Sequence, residues 1–207
     1  MGAGHENDQM VAVLKSTQNF TAYELYIKGR NAWLLGTDTG YQEAITYCRK
    51  AIELDPNYAL AYNYLGNALG DQGMYEESIE AYRKAIELKP DYALAYSNLG
   101  VTLKQEGKTE EAIAAYRKAI ELKPDLPEGY SNLGVALMNQ GKDGEAIVAY
   151  RKAIELKPDF ALALEQLAVA LDRQGQRKEA RVYWERALKL EKRSVKVEWI
   201  KEHLREP

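Results

Sequence analysis

The stretch Tyr92–Asp125, YALAYSNLGVTLKQEGKTEEAIAAYRKAIELKPD, decides how the rest of the chain is read. It recurs. Pro56, Pro90, Pro124 and Pro158 stand 34 residues apart. Leu65, Leu99, Leu133 and Leu167 keep the same step, as do Gly73, Gly107, Gly141 and Gly175. An aromatic column runs Tyr82, Tyr116, Tyr150 and Trp184, and a small-residue column runs Ala51, Ala85, Ala119, Ala153 and Ala187. A fixed period of this length marks stacked supersecondary units, none of which can bury its apolar face alone.

Within one unit the apolar positions Leu94 or Ala95, Tyr96, Leu99 and Leu103 recur at helical spacing. Asp91 is the expected cap of this first helix, because its carboxylate can accept from first-turn amides. Gly107 falls where a helix ends in a left-handed residue. Thr109 is the expected cap of a second helix carrying Ala112, Ile113, Tyr116, Ala119, Ile120 and Leu122, which Pro124 stops. Gly100, Ala112 and Ala119 are short enough to let two helices cross closely, and Tyr96 and Tyr116 fill the gaps between neighbouring pairs.

This spacing resembles the tetratricopeptide repeat, in which an aromatic, a Leu-Gly pair, an Ala, an aromatic, an Ala and a Pro recur through a helix–turn–helix. The Leu-Gly pairs here are Leu65-Gly66, Leu99-Gly100 and Leu133-Gly134, and the resemblance spans about 170 of 207 residues. It implies an all-α fold, a right-handed α-solenoid of stacked antiparallel helix pairs. Five repeats are expected over residues 20–193, at about 20–56, 57–90, 91–124, 125–158 and 159–192. Residues 1–19 show no sustained period and read as a flexible tail, with the apolar run Met10–Leu14 (MVAVL) as a candidate contact. Residues 194–207 read as a capping helix, with Val195, Val197, Trp199, Ile200 and Leu204 sealing the last repeat.

The first repeat is irregular. Thr21 and Glu24 form a Thr-x-x-Glu capping box, with Phe20 and Leu25 as its expected staple. If Gly29 is the repeat glycine, the distance to Ala44 is three residues longer than in later units, and TDTG at 37–40 is the expected turn. This opening resembles degenerate first repeats of bacterial proteins that fuse such arrays to regulatory domains, so a segment of a larger regulatory protein is one expectation.

A net charge of −3 with 29% charged residues gives no support for a nucleic-acid or anionic-membrane partner. The single cysteine, Cys48, excludes an internal disulfide and favours a reducing compartment. No run approaches the ~18 apolar residues of a membrane span, no secretory signal opens the sequence, and Glu6 departs from the myristoylation pattern at Gly2. A cytoplasmic protein is expected.

Convergent reactive groups are missing from the sequence. His5 and His203 are far apart in a solenoid, and Cys48 occupies the column of Tyr82 and Tyr116, which makes it a buried filler. The glycines are repeat punctuation rather than a phosphate loop, and His and Cys lack metal-ligand spacing. No enzyme activity, cofactor or metal is expected. Glu76-Glu77 and Glu110-Glu111 recur as solvated helix starts. In the basic pairs Arg83-Lys84, Arg117-Lys118 and Arg151-Lys152, each Arg has a Glu four residues on (Glu87, Glu121, Glu155), so a self-compensated face is expected.

The resemblance implies that the first helices line a concave groove. One column there reads Tyr64, Asn98, Asn132 and Gln166, similar to the asparagine ladders that grip a peptide backbone in this family. A carboxamide offers both donor and acceptor, which suits a peptide group whatever its side chain. The other reading is that Asn is simply frequent in the repeat consensus. A second column, Asn67, Val101, Val135 and Val169, suggests an apolar strip, with Leu60, Leu94, Leu162 and Met138 nearby. Contact between neighbouring first helices is its alternative. Some members bind acidic chaperone tails through a carboxylate clamp. Its positions here are Asn63, Asn67, Asn98, Glu128 and Asn132, which lack every cation, so no such binding is expected. The expected function is a non-catalytic protein–protein interaction module whose groove takes a partner's peptide or helix. The rival is a structural array whose groove is filled by self-association as a homo-oligomer.

Overall fold

The computed structural model describes residues 20–190, and every regular element among them is a helix. The N-terminal tail and C-terminal capping helix expected from the sequence lie outside the described residues. Two compact units divide the chain, Met1–Glu106 and Gly107–Pro207. In the first, α1 covers 20–33, followed by α2 (Asp38–Leu54), α3 (Ala59–Asp71), α4 (Tyr75–Leu88) and α5 (Ala93–Gln105). The second holds α6 (Thr109–Leu122), α7 (Pro127–Asn139), α8 (Asp143–Leu156), α9 (Ala161–Arg173) and α10 (Arg177–Leu190).

Inside each unit, helices pack on their chain neighbours, and first helices also meet across one repeat, α3 on α5 and α7 on α9. In the first unit, Tyr26 of α1, Ala51 of α2 and Ala61 of α3 share one buried cluster, and Cys48, Leu65, Leu69 and Ala81 another. The columns explain the fit. A Cβ added at Gly66 would lie 2.7 Å from the Tyr82 ring, and one at Gly134 2.5 Å from the Tyr150 ring. Glycine is needed there so that the aromatic of the second helix can lie against the backbone of the first. Gly29 meets Cys48 in the same way, with 2.8 Å from an added Cβ to Sγ. That contact fixes the register of the irregular repeat, three residues longer than later units.

Helix ends differ from the sequence expectations. Gly73, Gly107, Gly141 and Gly175 do adopt left-handed φ values of 73–81°. After three of them the chain closes a Schellman turn, with Met74 N donating to Leu69 O, Lys142 N to Leu137 O and Gln176 N to Leu171 O. Asp91 does not cap α5, whose N-cap is Tyr92 without a side-chain bond. Thr109 is the first helical residue of α6 rather than its cap, which is Lys108. Each loop is short enough that the capping position falls one residue off the polar side chain. Thr21 lies within α1 instead of capping it, and Phe20 is exposed rather than stapled. The first-repeat turn is Leu34–Gly36, not TDTG: Gly36 has φ 65°, and Thr37 caps α2 by accepting from Gly40 N at 3.1 Å.

The outer face is self-compensated, but by different partners. Lys84, Lys118 and Lys152 bind Glu87, Glu121 and Glu155 three residues on, at 2.6–2.8 Å. Arg117 and Arg151 instead reach Glu145 and Glu179, 28 residues on, at 3.1 and 2.7 Å. Arg49 does the same to Glu77 at 2.9 Å. These guanidinium groups join one second helix to the next.

Candidate functional site

In the first unit, four sequence-predicted residues line one concavity of about 270 Å³: Tyr64 and Asn67 from α3, Asn98 and Val101 from α5. Helical spacing puts each pair, three residues apart, on one face of its helix. Leu94, half-exposed, and Gln105 extend the α5 side. Trp33 and Asp71 also line it, and neither is evident from the repeat columns. Trp33 sits in the irregular repeat, and residue 71 belongs to a column of mixed chemistry, Asp71, Gln105, Asn139 and Arg173. The signal for Trp33 was its aromatic bulk at a position matching Gly70 once Gly29 is aligned with Gly66.

A hydrogen-bond network underlies this surface. Tyr82, lying over Gly66, carries its hydroxyl to Asn67 and donates to Oδ1 at 2.7 Å. Asn98 Nδ2 donates to the same Oδ1 at 3.0 Å and to Asn63 Oδ1 at 3.4 Å. Below, Ser78 Oγ donates to Gly66 O at 2.7 Å. Burial pushes the Tyr82 phenol well above its usual range, with the Asp71 charge adding to the shift, so it stays a neutral donor. The network uses the oxygen of Asn67 and the nitrogen of Asn98. It leaves Asn67 Nδ2 and Asn98 Oδ1 as one donor and one acceptor on adjacent helices. Asn98 is therefore half-buried and bonded to both Asn63 and Asn67.

Beside this, Trp33 and Tyr64 meet edge to face, with ring centroids 5.6 Å apart and planes at 77°. Tyr64 also meets Tyr26, at 5.6 Å. Trp33 Nε1 donates to Asp71 Oδ2 at 2.6 Å.

In the second unit, Asn132 and Val135 lie half-buried on α7, and Gln166 and Val169 half-buried on α9. Met138 is buried instead of joining an apolar strip, and its sulfur accepts from the Tyr150 hydroxyl at 3.3 Å. Two clamp positions also change meaning. Asn63 is fully buried, and Glu128 is 3.9 Å from Lys157 Nζ. Cys48 is buried, and desolvation pushes its thiol up to about 12, the state of a packing residue rather than a nucleophile. Among the described residues, no group of three or more His, Cys, Asp or Glu could hold a metal ion. No described helix is long and apolar enough to cross a membrane.

Models of the tetratricopeptide repeat match residues 47–80, 127–160 and 161–194, and a further model of the TPR repeat matches 69–107 and 102–141. The chain belongs to the tetratricopeptide repeat family. A solved structure of MamA protein is 30% identical over 86% of this chain and 96% of its own, with a TM-score of 0.72. Pseudomonas aeruginosa pilF reaches a TM-score of 0.81 at 21% identity, over 91% of this chain and 84% of its own. YrrB, described as a TPR protein with an unusual peptide-binding site, gives 0.67 at 24% identity, over 83% and 88%. No curated protein matches the sequence. The fold is an all-α helical solenoid, and its repeats make the protein a protein–protein interaction module, on a scaffold that is generally non-catalytic.

Proposed function

We propose that this repeat protein holds an extended segment of a partner protein along its first helices, and that Asn67 and Asn98 bind one peptide group of that segment. The observation that carries this reading is the orientation of the two carboxamides. Tyr82 and Asn98 both donate to Asn67 Oδ1, which turns the Asn67 nitrogen and the Asn98 oxygen away from the network. A donor and an acceptor fixed in advance match a peptide group at little ordering cost. Val101 and the half-exposed Leu94 give an apolar wall for a neighbouring side chain. Asn132, Val135, Gln166 and Val169 are the corresponding contacts proposed in the second unit.

Asp71 is the charged residue of the concavity, and no cation lines it. Acidic chaperone tails should therefore show no measurable affinity. The reading is tested by Asn67→Ala and Asn98→Ala, each titrated with an interacting fragment recovered from the source cell. Each should weaken binding roughly ten-fold, the effect of one lost hydrogen bond plus an unpaired peptide group. Unchanged affinity in both would overturn the proposal. Self-association through this surface would instead show as a concentration-dependent mass in light scattering that Asn98→Ala abolishes.

A further inference from the structure

The chemistry of the same concavity selects among peptides. Of its eleven lining residues Asp71 alone carries a formal charge at neutral pH. Trp33 Nε1 holds Asp71 Oδ2 at 2.6 Å and so anchors the carboxylate beside the indole. The second ring, Tyr64, stands 5.6 Å from Trp33 and nearly at right angles to it. Two π systems with a carboxylate alongside, and neither ammonium nor guanidinium lining the space, form a cation-seeking surface. Ring quadrupoles attract a cation near their faces, and the carboxylate adds a direct charge. An acidic side chain would meet Asp71 with like charge. An apolar one would gain the rings but leave the carboxylate partly desolvated and unmatched.

We infer that this concavity takes a lysine or arginine side chain of an extended partner segment, its charge paired with Asp71 beside Trp33 and Tyr64, while Asn67 and Asn98 hold the adjoining peptide group. The inference rests on the peptide-binding reading above and adds the chemistry of the bound residue. A free amine is a poorer occupant, because it brings no peptide group for the two carboxamides. The long stem of lysine or arginine also suits the site, since it can lie along Leu94 and Val101 while its head reaches the carboxylate.

The full chain is titrated with pools of N-acetylated, C-amidated, dye-labelled nonapeptides. Each pool fixes the central residue as Lys, Arg, norleucine or Glu and randomises the other positions over uncharged residues. Lys and Arg pools should bind about ten-fold tighter than norleucine, with Glu weakest, and the gap should narrow as salt rises. Asp71→Asn should bring the Lys and Arg pools down to the level of the norleucine pool, which should bind the variant at least as tightly as the wild type because no carboxylate is left to desolvate. Asn98→Ala should weaken all binding pools alike. Equal ranking of the pools, or an Asp71→Asn loss shared by norleucine, overturns the cation inference but leaves the peptide reading standing where Asn98→Ala still weakens binding. No binding by any pool, or binding indifferent to Asn67→Ala and Asn98→Ala, overturns both.

Discussion

Tyr82 shows how one residue serves packing and recognition together. Its ring needs the bare backbone of Gly66, and its hydroxyl then reaches Asn67 on the next position of the same helix. Tyr150 packs over Gly134 in the same way but finds only the Met138 sulfur, at 3.3 Å. The difference comes from the column that reads Asn67, Val101, Val135 and Val169, in which only Asn67 offers an oxygen acceptor. Tyr82→Phe should therefore cost roughly 0.5–1.5 kcal/mol in urea denaturation and weaken peptide binding by releasing Asn67. Tyr150→Phe should cost less, since a thioether is a weak acceptor. Equal losses would show that the Asn67 bond adds nothing. The sequence singles out Asn67 because it interrupts a column of valines, and Asn98 because it recurs as Asn132 in its column. Trp33 and Asp71 were not legible there, because one lies in a repeat of different length and the other in a column of mixed chemistry. The Tyr82–Asn67 bond was also hidden, since tyrosine in that column signals packing first.

At the scale of the element, helix existence was legible and helix starts were not. Periodicity fixes which residues face inward, but a cap depends on where the loop releases its last residue, and a shift of one position changes the capping side chain. Thr37 and Thr109 put this to a test. Thr37 accepts from Gly40 N, whereas Thr109 is already helical behind Lys108. Thr37→Ala should destabilise by about 1 kcal/mol, the usual worth of a Thr cap, and Thr109→Ala by under ~0.5 kcal/mol, as for an ordinary surface change. Urea midpoints of the two variants decide it, and the reverse order would contradict these helix starts. The charged columns taught the same lesson. Charge balance was readable, but four-residue spacing within a helix named the wrong partner for Arg117 and Arg151. Arg151 reaches Glu179 on the next second helix at 2.7 Å, with both side chains well exposed. Arg151→Met should cost at most ~1 kcal/mol, and that cost should vanish in molar salt. A larger, salt-independent loss would point to packing of the arginine stem instead.

Across the whole molecule, the 34-residue step that makes the solenoid also repeats one kind of buried group. Cys48 lies against Gly29 as Tyr82 lies against Gly66, and Tyr82, Tyr116 and Tyr150 follow one another at that step. All four are buried and neutral, and desolvation raises each pKa above its ordinary value, that of Cys48 to about 12 and those of the tyrosines further. The unfolded chain ionises the thiol near 9 and the phenols near 10, while the folded chain keeps their protons. Between those values and the folded ones the unfolded state binds fewer protons, so unfolding free energy falls as pH rises. The contribution of these groups is complete below about pH 9 and is lost progressively above it. Because solenoid stability is a sum of units and nearest-neighbour interfaces, titration of one column weakens several interfaces together. Melting followed by circular dichroism should give a flat profile from pH 7 to about 9 and then a steep decline. Cys48→Ala should move the onset toward the phenol range, about one unit higher. In the native protein Cys48 should resist thiol reagents at pH 8 and react at once in denaturant. A melting temperature that holds level to pH 11, or a native thiol that labels as fast as a free one, would contradict the sealed column.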